Sequence, residues 1–226
     1  MKKIFKIFTI ILVVIFCCGC SKEEKKIDLL EIDFTKEGNE ISLEKYEIDN
    51  PLVAMEIENY GAIVIELYPE KAKNTVNNFI SLVKNGFYDN NSFHRLVPYF
   101  VLQGGDPDGT GAGGPGYSIK GEFSSNEYDN DLKLTKGVVS MARSQDNDSA
   151  GSQFFIMLED ASYLDGEYAA FGKVIDGFDI IEDIEQEEIV EDNQTGKLRN
   201  NITIKKALVD TRGKTYEEVE KINVES

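Results

Sequence analysis

The only histidine of the chain, His94, stands beside Arg95 in the stretch SFHRLVPYFVLQGGDP, Ser92 to Pro107. A guanidinium inside an apolar, aromatic run demands a use, because it keeps its charge in such a setting and presents a rigid fork of donors. The neighbouring motifs do not supply one. A serine–histidine–acid triad would have to use His94, yet no G-x-S-x-G is present, and a histidine in an alternating strand reads as a packed, hydrogen-bonded core residue. The run GTGAGGPG matches the dinucleotide pattern at Gly109, Gly111 and Gly114. Pro115, Gly116 and Tyr117 then continue as irregular chain where a helix must begin, so the run reads as a mobile surface loop. DNDSAGSQFFIM starts like a calcium loop with Asp146, Asp148 and Gly151, but Ala150 takes a ligand position and Met157 stands where a bidentate carboxylate is required. One histidine makes a transition-metal site a poor expectation. What remains from the residues alone is a candidate cationic pocket at Arg95.

The surrounding periodicities describe the scaffold that must hold Arg95. PLVAMEIENYGAIVIELYP is two β-branched runs separated by Asn59, Tyr60 and Gly61, a hairpin signal. EKAKNTVNNFISLVKNGFYD then puts Ala72, Val76, Phe79, Ile80 and Val83 on one helical face, with Gly86 suited to end the helix. Further strand-like runs are FHRLV, FVLQGG, GVVSMA, SQFFIML, AAFGKVI and ITIKKALV, and a second short helix is expected at GFDIIEDIEQ. Short strands divided by Gly-rich turns predict a mainly β protein, a closed antiparallel barrel capped by helices. The acidic stretch from Gln186 to Asn201 reads as a solvated loop.

The chain has 226 residues, enough for one sizeable core, and a formal charge of −17. That acidity argues against nucleic acid and anionic lipid surfaces as partners. Residues 1–19 read as an export signal, with a basic start and an apolar run from Ile7 to Cys18 shorter than the ~20 residues of a spanning helix. The ending CCGCS resembles a bacterial lipoprotein signal, in which Cys20 is lipidated and becomes the new N-terminus, although Cys17 stands where that pattern usually has a branched aliphatic residue. Loss of the leader's three lysines would leave 21 basic against 41 acidic residues, a charge of −20. It would also leave no free thiol, since Cys17, Cys18 and Cys20 are all the cysteines there are. Residues 20–50 form the lipidated N-terminus and a charged tether, with room for short strands in IDLLEIDF and ISLEKYEI; 51–211 is the folded domain. Residues 212–226 are a C-terminal tail, expected as a surface helix or a frayed end.

FHRLVPYFVLQGGD, GVVSMAR, GSQFFIML and YLDGEYAAFGKV, with the hairpin and helix before them, resemble the cyclophilin family of peptidyl-prolyl isomerases, in order from about Pro51 to Thr211. The resemblance implies an eight-stranded antiparallel barrel with two capping helices and a substrate groove on its outer face. It implies Arg95 as the catalytic cation, Phe100 and Val101 as groove wall and Gln103 as a polar anchor. Ala142 and Arg143 would lie beside the peptide backbone, with Gln153, Phe155, Tyr163, Leu164 and Tyr168 completing the substrate site. Tyr163, Tyr168 and Arg143 stand where well-known eukaryotic members carry tryptophan, histidine and asparagine. The implied activity is X-Pro isomerisation of proline-containing polypeptides emerging from the export machinery, at the outer face of a bacterial cell membrane, with the lipid on Cys20 as anchor. Two other readings compete: a proline-segment binding chaperone or adhesin with incidental turnover, and a solute-binding lipoprotein, which needs a longer, two-lobed α/β chain.

Overall fold

The computed structural model describes residues 32–223. The leader, Cys20 with its expected lipid, and the first part of the tether lie outside the described residues. The expected hairpin forms from β1 (Leu52–Ile57) and β2 (Gly61–Leu67), with Asn59 at φ 68° in the turn, a residue type that tolerates the left-handed region. Helix α1 (Lys73–Lys84) follows, then β3 (Asn91–Val97), β4 (Val101–Gly104), β5 (Val138–Met141), β6 (Phe154–Met157), β7 (Ala170–Asp176), α2 (Phe178–Glu187), β8 (Val190–Asp192) and β9 (Lys197–Asp210). Pairing runs β1-β2-β7-β5-β6-β4-β3-β9, and β9 returns to β1, so these eight antiparallel strands close a barrel that leaves no free edge. The ninth strand, β8, pairs only with the start of β9 and stands outside the ring.

The barrel interior takes Val53, Met55 and Ile57 from β1 and Ile63, Ile65 and Leu67 from β2, the inward set of a period-two pattern. Helix α1 closes one end with the face read from its spacing: Ala72, Val76, Phe79, Ile80 and Val83 are all buried. Phe79 meets Tyr88, Phe154 and Phe171 at ring-centroid distances of 5.1, 5.4 and 4.9 Å. The first amides of α1, which have no partner inside the helix, donate instead to the buried carboxylate of Glu122, Asn74 N at 2.9 Å and Thr75 N at 2.7 Å.

Three segments differ from the sequence expectation. Residues 32–50 are not a solvated tether: Ile32, Leu43 and Tyr46 are buried against Leu52, Ala54, Val64 and Leu208 on the outer face of the barrel. Their backbone is satisfied from a distant turn, since Leu43 N donates to Asp210 Oδ2 at 2.7 Å and Arg212 donates to the carbonyls of Leu43 and Tyr46. Among the described residues of this region the strand pairing is one parallel bridge, Glu40 with Val209, and Ile41 to Ile48 is turn and coil, while most of IDLLEIDF lies outside the described residues. The stretch from Gln186 to Asn201 is not an open loop: it begins as the end of α2 and continues as the β8–β9 hairpin, because β9 extends well upstream of its apolar half. Nor is the tail a helix. Residues 213–223 form an extended strap in which Tyr216 and Val219 pack on the core and Ile222 bridges Ser118 through two backbone hydrogen bonds.

Candidate active site

Arg95 on β3 is the Cα partner of Gln103 on β4, and Gln103 is the partner of Phe155 on β6. Paired residues of neighbouring strands share a face, so the three side chains form one row across the outside of the barrel. Beside the row lies an apolar cluster separate from the barrel interior. Val101, Leu134, Val138, Phe155, Met157, Ala161 and Ala170 are its buried floor, and Phe100, Ala142, Leu164 and Tyr168 are among its half-buried walls. Tyr163, strongly exposed, stacks on Phe100 with centroids 6.4 Å apart, and Tyr168 meets Phe155 edge-on at 5.5 Å.

The polar groups form a chain. Arg95 Nη1 donates to Gln103 Oε1 at 3.1 Å, Gln103 Nε2 to Gln153 Oε1 at 3.0 Å, and Gln153 Nε2 to the carbonyls of Gly111 and Gly113 at 3.1 and 2.9 Å. Arg95 Nε donates to the carbonyl of Thr195 at 2.8 Å, while Nη2 makes no hydrogen bond among the described residues. Half-burial lowers the Arg95 pKa from its ordinary value, with Tyr168 acting in the opposite direction. The guanidinium therefore enters the groove with two edges held and a third free to donate.

The Gly-rich stretch expected as a mobile surface loop is fastened. Asp106, itself buried, accepts the backbone N–H groups of Asp108, Thr110 and Gly111, and Gln153 holds the same loop from the other side. Gly105, at φ +86°, is required where this loop leaves β4, because a Cβ there would stand 2.4 Å from the carbonyl of Ser152. The loop, Gln103, Ala142, Gln153 and Asn223 of the strap line a cavity of about 700 Å³ that adjoins the row. Asp146 and Asp148 serve as loop acceptors, the former for the N–H of Asp148 and the latter for Gly121 N and Asn126 Nδ2.

His94 departs from its sequence reading, and Arg143 carries contacts that the reading did not include. His94 is buried, but neither ring nitrogen has a hydrogen-bond partner among the described residues, so it is packed and not hydrogen-bonded. Burial is the main cause that lowers its pKa, with Asp106 opposing and Arg95 reinforcing, which keeps the ring neutral. Arg143, expected beside a bound peptide backbone, lines the same cavity while its guanidinium is held by its own chain. Its Nε and Nη2 donate to the carbonyl of Glu167 at 3.1 and 3.0 Å and its Nη1 to Ser144 O at 2.9 Å. Its guanidinium carbon lies 5.1 Å from the Phe123 centroid and 4.9 Å from that of Tyr168, a cation between two rings. Arg95, Gln103, Phe100, Val101, Ala142, Gln153, Phe155, Leu164, Tyr163 and Tyr168 thus come together, with Arg143 behind Tyr168. Sequence reasoning missed Thr195 and Asn223. A backbone carbonyl has no side-chain signature, and Asn223 reaches the cavity only through the path of the strap.

The family model for cyclophilin type peptidyl-prolyl cis-trans isomerase/CLD matches residues 52–209. Peptidyl-prolyl cis-trans isomerase B of Bacillus subtilis is 43% identical over 136 residues, 60% of this chain and 92% of that protein. A peptidyl-prolyl cis-trans isomerase of Helicobacter pylori is 43% identical over 135 residues, 59% of this chain and 80% of its own length. Among solved structures, a Cryptosporidium parvum cyclophilin type isomerase crystallised in the presence of the dipeptide Ala-Pro superposes with a TM-score of 0.62 at 35% identity, covering 70% of this chain and 98% of that one.

Proposed function

The chain belongs to the cyclophilin-type peptidyl-prolyl cis-trans isomerases, and on that footing we propose that Arg95 lowers the X-Pro rotation barrier by donating to the prolyl nitrogen of the twisted amide. The isomerase activity needs no covalent step. A peptide bond resists rotation because the nitrogen lone pair is delocalised into the carbonyl, a barrier of ~18–20 kcal/mol. At the twisted midpoint that delocalisation is lost, the nitrogen becomes pyramidal, and its lone pair accepts a hydrogen bond that the planar amide cannot. A donor aimed at that position binds the transition state more tightly than either ground state.

The single observation that carries this reading is the row Arg95, Gln103 and Phe155, with Arg95 Nη2 uncommitted beside an apolar floor. Phe155, Val101, Phe100 and Leu164 would hold the proline ring and exclude water, which strengthens the hydrogen bond. Gln103 would fix the neighbouring carbonyl while the other side of the bond turns. Arg95→Ala should lower kcat/KM by about 100-fold or more while peptide binding persists, and Arg95→Lys should recover little, because an ammonium lacks the planar fork. NMR exchange or a protease-coupled assay measures both. A folded Arg95→Ala protein isomerising at close to the normal rate would refute the mechanism, and ground-state binding without turnover in the unmodified protein would favour the chaperone or adhesin reading.

For its place of work we propose the outer face of a bacterial cell membrane, on proline-containing chains leaving the export machinery, with Cys20 as the lipidated anchor. Support comes from the basic start, short apolar run and Gly19-Cys20 of the leader. Spontaneous X-Pro isomerisation takes tens to hundreds of seconds, so newly exported chains gain from a catalyst. Cys20→Ala should leave an unprocessed precursor or release the protein from the membrane fraction; normal processing and retention would remove the lipoprotein reading.

A further inference from the structure

Arg95 is a long side chain on the outside of a barrel, where rotamer freedom would ordinarily blur its aim. Two contacts on adjacent edges of one planar group remove that freedom. Gln103 Oε1 accepts from Nη1, and the Thr195 carbonyl accepts from Nε at 2.8 Å. With Gln103 alone the guanidinium could swivel about a single hydrogen bond; with both, its plane is defined and so is the direction of Nη2. We propose that the Asp192–Gly196 turn, at the tip of the β8–β9 hairpin, is a positioning element that orients Arg95 through the backbone carbonyl of Thr195.

The turn is built to present that carbonyl. Asp192 Oδ1 accepts from Gln194 N and Asp192 Oδ2 from Thr195 Oγ1, both at 2.9 Å, and Gly196 N closes the turn on Asp192 O at 2.7 Å. Gly196 O accepts from Leu96 N at 2.8 Å, which clamps the turn onto the residue after Arg95. Gly196 sits at φ +76°, and a Cβ there would stand 2.6 Å from Val97 Cγ2 and 2.8 Å from the carbonyl of Leu96. Only glycine allows so close an approach to β3 in this backbone region. Strand β8 and the turn after it stand outside the barrel ring, while the first residue of β9, Lys197, is already paired with Arg95 on β3. The turn's contacts with β3 serve the strand that carries the cation.

This inference rests on the reading of Arg95 as the transition-state donor, and the test separates the two. In a double-mutant cycle, Gly196→Ala should lower kcat about tenfold or more with KM changed less than about twofold, because the turn must retreat from β3 while Gln103 and the apolar floor stay. In an Arg95→Ala background the same substitution should do nothing further to kcat/KM. Asp192→Ala should act in the same direction, and Asp192→Asn, which keeps an acceptor for Gln194 N, should restore most of the rate. The Arg95 Nε–H resonance should broaden or shift in Gly196→Ala and Asp192→Ala. The Asp192 variants keep the test intact if Gly196→Ala fails to fold, since Asp192 lies on a partly exposed turn. Equal effects of Gly196→Ala and Asp192→Ala with and without Arg95 would overturn the positioning role, as would an unchanged Nε–H signal. A silent Arg95→Ala would instead bring down the mechanism on which it rests.

Discussion

Replacing Arg143 by alanine distinguishes a residue that braces the groove from one that touches the peptide. The side chain makes two charge-assisted hydrogen bonds to Glu167 O, one to Ser144 O and a long one, 3.5 Å, to Gln145 O, and lies between two aromatic rings. Each such hydrogen bond contributes about 1.5–3 kcal/mol when buried. Here two share one carbonyl and one is long, so the four together are worth about 2 kcal/mol. The ring contacts add about 0.5–1 kcal/mol each. The expected loss is therefore ~3 kcal/mol, a fall in Tm of about 6–12 °C for a domain of this size. Loss of the cation also frees Tyr168, whose ring edge packs on Phe155. KM should rise by less than about tenfold, while kcat holds because Arg95 and Gln103 are untouched. Arg143→Lys should fall between, keeping a charge over the rings without the paired donation to Glu167 O. Urea unfolding and NMR exchange kinetics on the same samples provide both readouts. A rise in KM with stability unchanged would refute the bracing role and return Arg143 to the peptide-binding surface.

Removing residues 213–226 should lower stability by about 1–3 kcal/mol through lost packing of Tyr216 and Val219, read by urea unfolding; it should also alter preference among proline peptides, because Asn223 leaves the cavity wall. Glu122→Gln should cost about 1–3 kcal/mol by weakening the acceptor for the first amides of α1, with little effect on kcat. The buried, neutral His94 resists protonation in the folded state, so its folded pKa lies below 6.5 while the unfolded chain titrates near 6.5. Its contribution to stability is present above pH 6.5 and lost as pH falls from there through the folded value. His94→Phe should remove the slope in that window, and an unchanged slope on the acid side of pH 6.5 would show that another group titrates there.

Local pattern carried much of this protein. Alternation in the first hairpin and short strand-like apolar runs elsewhere marked the eight barrel strands, the 3.6-residue spacing of Ala72, Val76, Phe79, Ile80 and Val83 marked α1, and Asn59 and Gly61 marked the first turn, because each depends only on neighbours in the chain. The kinds of side chain in the groove were legible through the family resemblance, which places Arg95, Gln103 and Phe155 motif by motif. Pairing decided the rest. That Arg95, Gln103 and Phe155 share one row follows from the register of β3, β4 and β6, set by how the barrel closes. LVAM in β1 is buried on both faces, and what covers its outer face, Ile32, Leu43 and Tyr46, looked like tether because its backbone partners Asp210 and Arg212 lie more than 160 residues away. Arg143 could be read as a cation but not as one spent between Phe123 and Tyr168, and the Thr195 carbonyl on Arg95 had no residue type to betray it. Sequence determines which groups a chain owns and which way a strand or helix faces; long-range register, and the backbone atoms it brings to a side chain, exist only once the barrel has closed.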